Sequence, residues 1–369
     1  MTLKELPMST HTFRKIIEWN CVYVDKTKEA YELAKKTSYF FLSRPRRFWK
    51  SLFLDTLQNI FEGNKELFKW LYIYDKWDFN DKYPVIKISW AGDLSSLKKL
   101  EIRAIDILEE NQERLGIECN TDEVTSCFNR LIKRTYKKYN KPVVILVDEY
   151  NKPILDVIED TELAKKHRKF LKEFYNVLKN NDKYIRFVFF TWVTKLSKQY
   201  LFSNFNMLED ITISSKFWNI GWFTIRELKE NFSEYLQSVN FGIKDLQEYI
   251  WWYFFWKDEL FNPASLFDTL FAGTIKSTWI PNNTPSMFIK LLKKYEFYKQ
   301  ENLDLQIPME EIDNFDLENI TFEKLLYHVW FLRIEKVIRN EHWERFYKLK
   351  FSSGETKRVF DYLKKEFWK

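Results

Sequence analysis

The run SRPRRFWKS, Ser43 to Ser51, has the layout of a phosphate-binding loop with one residue out of place. It follows the apolar stretch Tyr39-Phe40-Phe41-Leu42 and leads into Leu52-Phe53-Leu54, whose spacing suits a helix. Strand, loop, Lys-Ser, helix is the order such a loop requires. A lysine at the helix start reaches β- and γ-phosphates, and the hydroxyl beside it ligates Mg²⁺. Helix N-terminal N–H groups add to the attraction for anions. The residue before the lysine is normally glycine, so that backbone N–H groups can close around phosphate oxygens. Here it is Trp49. Alone, a Lys-Ser pair at a helix start is more often plain surface, so the reading depends on what accompanies it.

Two further stretches do. VVILVDEY, Val143 to Tyr150, is an apolar run ending in two carboxylates, as expected of a buried strand with acidic groups at its C-terminal end. There Asp148 is placed to hold the Mg²⁺ shell with Ser51, and Glu149 to orient or deprotonate an attacking water. The bland alternative is a strand ending in a solvated acidic turn. IRFVFFT then ends on Thr191, a hydroxyl on a strand tip suited to sensing a γ-phosphate or positioning water. Loop, acidic strand and polar strand tip in this order point to an ATPase. The candidate nucleotide contacts are Arg46, Arg47, Phe48, Trp49, Lys50, Ser51 and Leu52, with Glu149 and Thr191 as catalytic candidates. The guanidiniums of Arg44, Arg46 and Arg47 suit a phosphate clamp, a nucleic-acid backbone or a partner's acidic face.

Composition bounds these readings. A chain of 369 residues with 45% apolar and 30% charged content is long enough for two or three globular domains. The net charge of +6 permits nucleic-acid contact without requiring it. Three cysteines and four scattered histidines show no metal-ligand spacing, and so few thiols suggest a reduced compartment. The start, MTLKELPMSTHTF, has no apolar signal-peptide stretch, and the densest apolar run, YIWWYFFW, is far short of a membrane span. A cytoplasmic protein without membrane contact is expected.

Short apolar runs at Ser38–Leu42, Val85–Ser89, Val143–Val147, Ile185–Phe190 and Ile211–Ser214 predict strands. Between them Leu94–Leu115, Val124–Tyr139 and Leu163–Leu178 have helical period. This alternation predicts an α/β fold, a mostly parallel sheet covered on both faces, over residues 1–215. Helical patterns then dominate at Ile225–Leu236, Ile243–Trp251 and Pro285–Lys299, the last capped by Asn283 or Thr284. They make a lid-like region over 216–307. An acidic connector, Pro308–Asn319, precedes a helix and a β-hairpin, so 308–369 is expected to be a winged-helix-like unit. That unit, with Lys336, Arg339, Arg345, Lys348 and Lys350, is a candidate for DNA contact or for docking a protein partner.

The chain resembles the bacterial AAA-ATPase-like family, P-loop NTPases often fused to a C-terminal PD-(D/E)XK nuclease-like domain. The matching stretches are YVDKT (Tyr23–Thr27), FLSRPRRFWKSLFL (Phe41–Leu54), LFKWLYIYDKWDF (Leu67–Phe79), LVDEYNKPIL (Leu146–Leu155), FFTWVTKLSK (Phe189–Lys198), LFNPASLF (Leu260–Phe267) and NTPSMFIKLLKK (Asn283–Lys294). The resemblance implies ATP and Mg²⁺ binding through Lys50, Ser51, Asp148 and Glu149, with Arg44 where the usual loop begins with glycine. It also implies an extra strand between the loop strand and the acidic strand. No PD-(D/E)XK signature follows the hairpin, so nuclease activity is not carried over.

The departures from that family are of one kind. Glycine is its residue at the positions of Trp19, Trp49, Trp70, Trp192, Trp222, Trp252, Trp256 and Trp330, whereas Trp77 and Trp279 fall where it has an aromatic residue. The chain has 7 glycines and 15 tryptophans, against roughly 26 glycines at average usage. Glycine to tryptophan is among the least tolerable exchanges where φ > 0 or close backbone approach is needed. One cause covers all eight positions: a source that reads UGA as glycine, translated with UGA as tryptophan. The rival is a non-hydrolysing interaction module, with a genuine Trp49 filling the β-phosphate space.

Overall fold

The structure, a computed structural model, describes residues 3–8, 10–120, 123–193, 201, 208–249, 252–255, 258–275, 286–297, 303, 305–312, 320–341 and 343–367. Asn283, Thr284, Trp256, Trp279 and residues 313–319 of the acidic connector lie outside the described residues.

A five-stranded parallel sheet organises the first half. Its strands are β1 (Ser38–Ser43), β2 (Val85–Ser89), β3 (Val143–Asp148), β4 (Ile185–Trp192) and β5 (Leu208–Asp210), in the order β2-β3-β4-β1-β5. The extra strand expected between loop strand and acidic strand is β4. The fifth strand is Leu208–Asp210 rather than Ile211–Ser214; the latter stretch turns, and its Ser214 N–H donates to Ile211 O (3.1 Å).

Period-2 alternation makes this a two-faced sheet. Tyr39, Phe41, Val143, Ile145, Val147, Val188 and Phe190 point to one face. There they meet α4 (Leu97–Leu115), α5 (Val124–Tyr139) and α7 (Thr161–Asn180) through Leu100, Ile107, Phe128, Leu131 and Phe174. Phe40, Leu42, Val144, Leu146, Phe187 and Phe189 point to the other face, covered by α1 (Phe13–Glu18), α2 (Thr27–Ala34) and α3 (Lys50–Phe61). A short helix α6 (Lys152–Asp156) follows β3. Continuously apolar strands are what a parallel sheet buried on both sides requires.

Beyond the sheet come β6 (Phe223–Thr224), α8 (Ile225–Gln237), α9 (Ile243–Tyr249), β7 (Trp252–Phe255), β8 (Asp258–Phe261) and α10 (Pro263–Ala272). Strands β6, β8 and β7 pair into a small antiparallel sheet that the helical reading of this region did not include. Then follow α11 (Ser286–Lys294), β9 (Gln306–Pro308), α12 (Phe322–His328), β10 (Leu332–Arg339), β11 (Arg345–Phe351) and α13 (Gly354–Phe367). Here β9-β11-β10 is antiparallel, with β10 and β11 forming the expected hairpin. This last part packs on the first: Trp330 Nε1–H donates to Val193 O (3.0 Å), and the Lys290 and Lys294 ammoniums reach the carbonyls of Asp156 and Ile158 (both 2.8 Å). Cys119 and Cys127 form a disulfide, which the expectation of reduced thiols did not include, while Cys21 is buried and free. Among the described residues no helix is long and apolar enough to cross a membrane.

The tryptophans separate by backbone. Nine non-glycine residues among those described have positive φ, and four are tryptophans: Trp49 (50°), Trp70 (72°), Trp330 (69°) and Trp343 (64°). A bulky residue there is an outlier, so at these four positions the backbone has the shape that suits glycine. Trp343 is an addition; its N–H donates to Asn340 O (3.1 Å) in the β10–β11 turn, where the left-handed place is usually glycine's. Trp19, Trp192, Trp222 and Trp252 are not left-handed. Trp77 and Trp90 have ordinary backbones and packed rings: Trp77 lies 5.8 Å from Phe61, and buried Trp90 donates Nε1–H to Tyr175 Oη (2.8 Å).

Candidate functional site

The parallel register brings the tips of β1, β3 and β4 to one edge, with Leu42 beside Thr191 and Ser89 beside Asp148. Ligands of open α/β sheets bind at this carboxyl edge. Here α3 starts, with Lys50 and Ser51 in its first turn. Ser51 Oγ–H donates to Asp148 Oδ2 and Thr191 Oγ1–H to Asp148 Oδ1, both at 2.5 Å. The three residues drawn from distant sequence thus form one contiguous group. Among the described residues no cluster of three or more His, Cys, Asp or Glu side chains forms a ready metal cage. The donors present are hard oxygens, a hydroxyl and a carboxylate, which is the protein share that Mg²⁺ takes when phosphates and water complete its shell.

Lys50 is buried, and its ammonium donates to Pro45 O at 2.6 Å, reaching back across the loop. Burial lowers its pKa to about 8, with the Asp148 and Glu149 carboxylates opposing that shift and Arg46 and Arg44 reinforcing it. A buried, desolvated cation in the first turn of a helix is placed where an anion is favoured. Glu149 sits directly after β3 with φ 58°, a strained conformation of the kind that collects at functional sites. Burial raises its pKa, and the neighbouring Asp148 raises it further. Behind it, Trp90 donates to the Tyr175 hydroxyl, which donates to Tyr150 O (2.8 Å), tying the residue after Glu149 to α7.

The loop residues take different parts. Arg46 and Arg47 are exposed, and Arg47 pairs with Asp268 on α10 (3.6 Å). Phe48 and Leu52 are buried and turn their side chains into the core, with Phe48 against the Trp222 ring at 4.3 Å. Arg44 is no phosphate clamp: its buried guanidinium is spent on backbone carbonyls. Trp49 does not fill the loop interior either, where the Lys50 ammonium already bridges to Pro45. Its indole lies beside the loop, 5.1 Å from the Phe223 ring and 5.3 Å from the Phe267 ring. That slot adjoins a small cavity of about 20 Å³ bordered by Tyr23, Val24, Leu52, Phe53 and Trp222. Phe223 and Phe267 were legible only as apolar residues, since nothing in their local pattern marks them as neighbours of Lys50.

Sheet order, loop and acidic strand together define a P-loop NTPase-like fold. Residues 7–202, more than half the chain, match the family model described as predicted AAA-ATPase. An uncharacterized protein in the vnfD 5' region of Azotobacter chroococcum mcd 1 is 34% identical over 362 residues, 97% of this chain and 69% of that protein. The chain belongs to the predicted AAA-ATPase family, and ATP binding is the property this membership suggests.

Proposed function

We propose that the chain binds Mg·ATP between β1 and α3 and hydrolyses it through Glu149. The observation that carries this reading is buried Lys50 beside the Ser51–Asp148–Thr191 group. In it, the Lys50 ammonium leaves Pro45 O for the β- and γ-phosphates, and exposed Arg46 and Arg47 add charge at the loop's outer side. Ser51 and Asp148 would hold Mg²⁺, which would supply neutralisation of phosphate charge. Thr191 keeps the Asp148 carboxylate oriented, and Glu149, its basicity raised by burial, orients the attacking water and takes its proton.

A purine is close in size and shape to an indole, and the apolar slot now holding Trp49 lies beside the phosphate loop. That supports a nucleobase place there and a conflict between base and indole in the chain as it stands. A non-hydrolysing role follows if the tryptophan is genuine. We further propose residues 1–215 as the nucleotide domain, 216–307 as the lid and 308–369 as a winged-helix-like docking unit in a cytoplasmic protein. The burial of Glu323, Lys324 and His328 on α12 speaks against that helix reading DNA, although Lys336, Arg339, Arg345 and Lys348 are exposed on the hairpin. The test is isothermal titration of Mg·ATP and phosphate release, on the parent and on Trp49→Gly. A salt-dependent shift of labelled duplex would restore the DNA reading.

A further inference from the structure

A guanidinium has five N–H donors in a fixed fork. Arg44 gives all five to backbone carbonyls: Nε–H to Ile220 O (2.8 Å), Nη1 to Ser43 O (2.8 Å) and Thr212 O (2.9 Å), and Nη2 to Phe217 O and Trp218 O (both 3.1 Å). Four of these acceptors lie on one stretch, Thr212 to Ile220. That stretch is fastened to the loop at two more places. Ser43 N–H donates to Thr212 Oγ1 (3.0 Å). At the loop's far end Gly221, with φ 80°, lies so close that a Cβ there would meet Phe48 O at 2.5 Å.

The same stretch runs without a break into β6 and α8. Thr224 and Glu227 close the start of α8 with a capping box, and the Glu227 carboxylate also takes the Lys26 ammonium at 2.5 Å. Asn219 Nδ2–H donates to Glu29 Oε1 (2.8 Å). A change in the curvature of the loop therefore pulls on carbonyls a few residues before the lid helix.

We propose that Arg44 is a positioning residue: it holds the phosphate loop to the Thr212–Gly221 stretch and so transmits loop occupancy to the lid helix α8. The proposal rests on the nucleotide-binding reading. Lysine cannot replace it, because a point ammonium has three donors and no planar fork. Arg44 does not touch the nucleotide.

The test is hydrogen–deuterium exchange on the full chain carrying Trp49→Gly, with and without Mg·ATP. With Arg44 present, nucleotide should slow exchange at Lys50–Leu54 and at Ile225–Gln237 together, each by about tenfold or more. In Arg44→Lys, protection at Lys50–Leu54 should persist while that at Ile225–Gln237 is lost. A merely structural role would instead loosen both segments and leave their response to nucleotide in proportion. Joint protection retained in Arg44→Lys overturns the proposal. If that variant does not fold, Gly221→Ala, which pushes the stretch from Phe48, should uncouple the two segments in the same way, and joint protection there also overturns it. Absence of any protection in the parent means the nucleotide reading has failed. The coupling, which needs a filled loop, then falls with it, whereas protection at Lys50–Leu54 without protection at Ile225–Gln237 in the parent leaves nucleotide binding standing and overturns the coupling alone.

Discussion

Replacing Trp49 by glycine should lower stability in the empty protein and raise it in the presence of Mg·ATP. Two opposing effects set the first sign. The variant loses the ring contacts with Phe223 and Phe267 at 5.1 and 5.3 Å, about 0.5–1.5 kcal/mol each. Glycine's freedom in the unfolded chain costs about 0.5–1 kcal/mol more. Relief of the left-handed backbone at φ 50° returns about 1–2 kcal/mol. With the lost burial of a partly exposed indole, about 1–2 kcal/mol more, the net is a loss of about 2–3 kcal/mol. Nucleotide at about 100 times Kd adds about 2.7 kcal/mol to any form that binds it. The variant should therefore melt a few degrees below the parent without ligand and overtake or match it with ligand, while the parent's melting point stays put. Thermal melts with and without Mg·ATP, paired with isothermal titration, measure this directly. Micromolar Mg·ATP affinity in the Trp49 form would refute the reasoning, as would a folded Trp49→Gly variant indifferent to Mg·ATP.

Four other outcomes are expected. In the Trp49→Gly background, Lys50→Ala should abolish nucleotide binding, whereas Glu149→Gln should keep binding and lose turnover by about 10²–10⁴-fold; equal loss of binding in both would make Glu149 structural. Trp70→Gly and Trp343→Gly, at exposed left-handed positions (88% and 75% exposed), should change stability by less than about 1 kcal/mol, because strain relief offsets glycine's entropy and an exposed cation–π contact. Trp90→Gly should cost about 3–5 kcal/mol, and equal denaturant midpoints for all three would contradict this division. Burial lowers the pKa of His167, whose Nδ1–H donates to Pro153 O (2.7 Å). The folded state thus resists a proton that the unfolded chain accepts, so stability should fall as pH drops below about 6.5, by up to about 1.4 kcal/mol per unit, and His167→Gln should flatten that slope. In the gene, Trp19, Trp49, Trp70, Trp192, Trp222, Trp252, Trp256, Trp330 and also Trp343 should be UGA, with UGG at Trp77, Trp90 and Trp279; UGG at Trp49 alone, or tryptophan mass in the native peptide, would count against recoding.

The sequence by itself determined the parallel sheet and the chemical groups at its edge. Local signals suffice there: uninterrupted apolar runs such as Val143–Val147 belong to strands covered on both sides, and their polar ends, Asp148 and Thr191, belong to the carboxyl edge. The order of loop, acidic pair and hydroxyl was legible for the same reason. Tertiary structure decided which of the loop's neighbours matter. Arg44 looked like a phosphate ligand because a charged side chain in a loop is ordinarily free to reach a ligand. Its five bonds to Ser43 and to residues 212–220 depend on β5 and its following turn lying against β1, a contact across about 170 residues that no local pattern encodes. The same holds for Trp49, whose left-handed backbone could be suspected from sequence but whose indole finds Phe223 and Phe267 only once α10 is packed. Side-chain type and period are local properties, whereas the destination of a long side chain is set by whatever the fold brings within its reach.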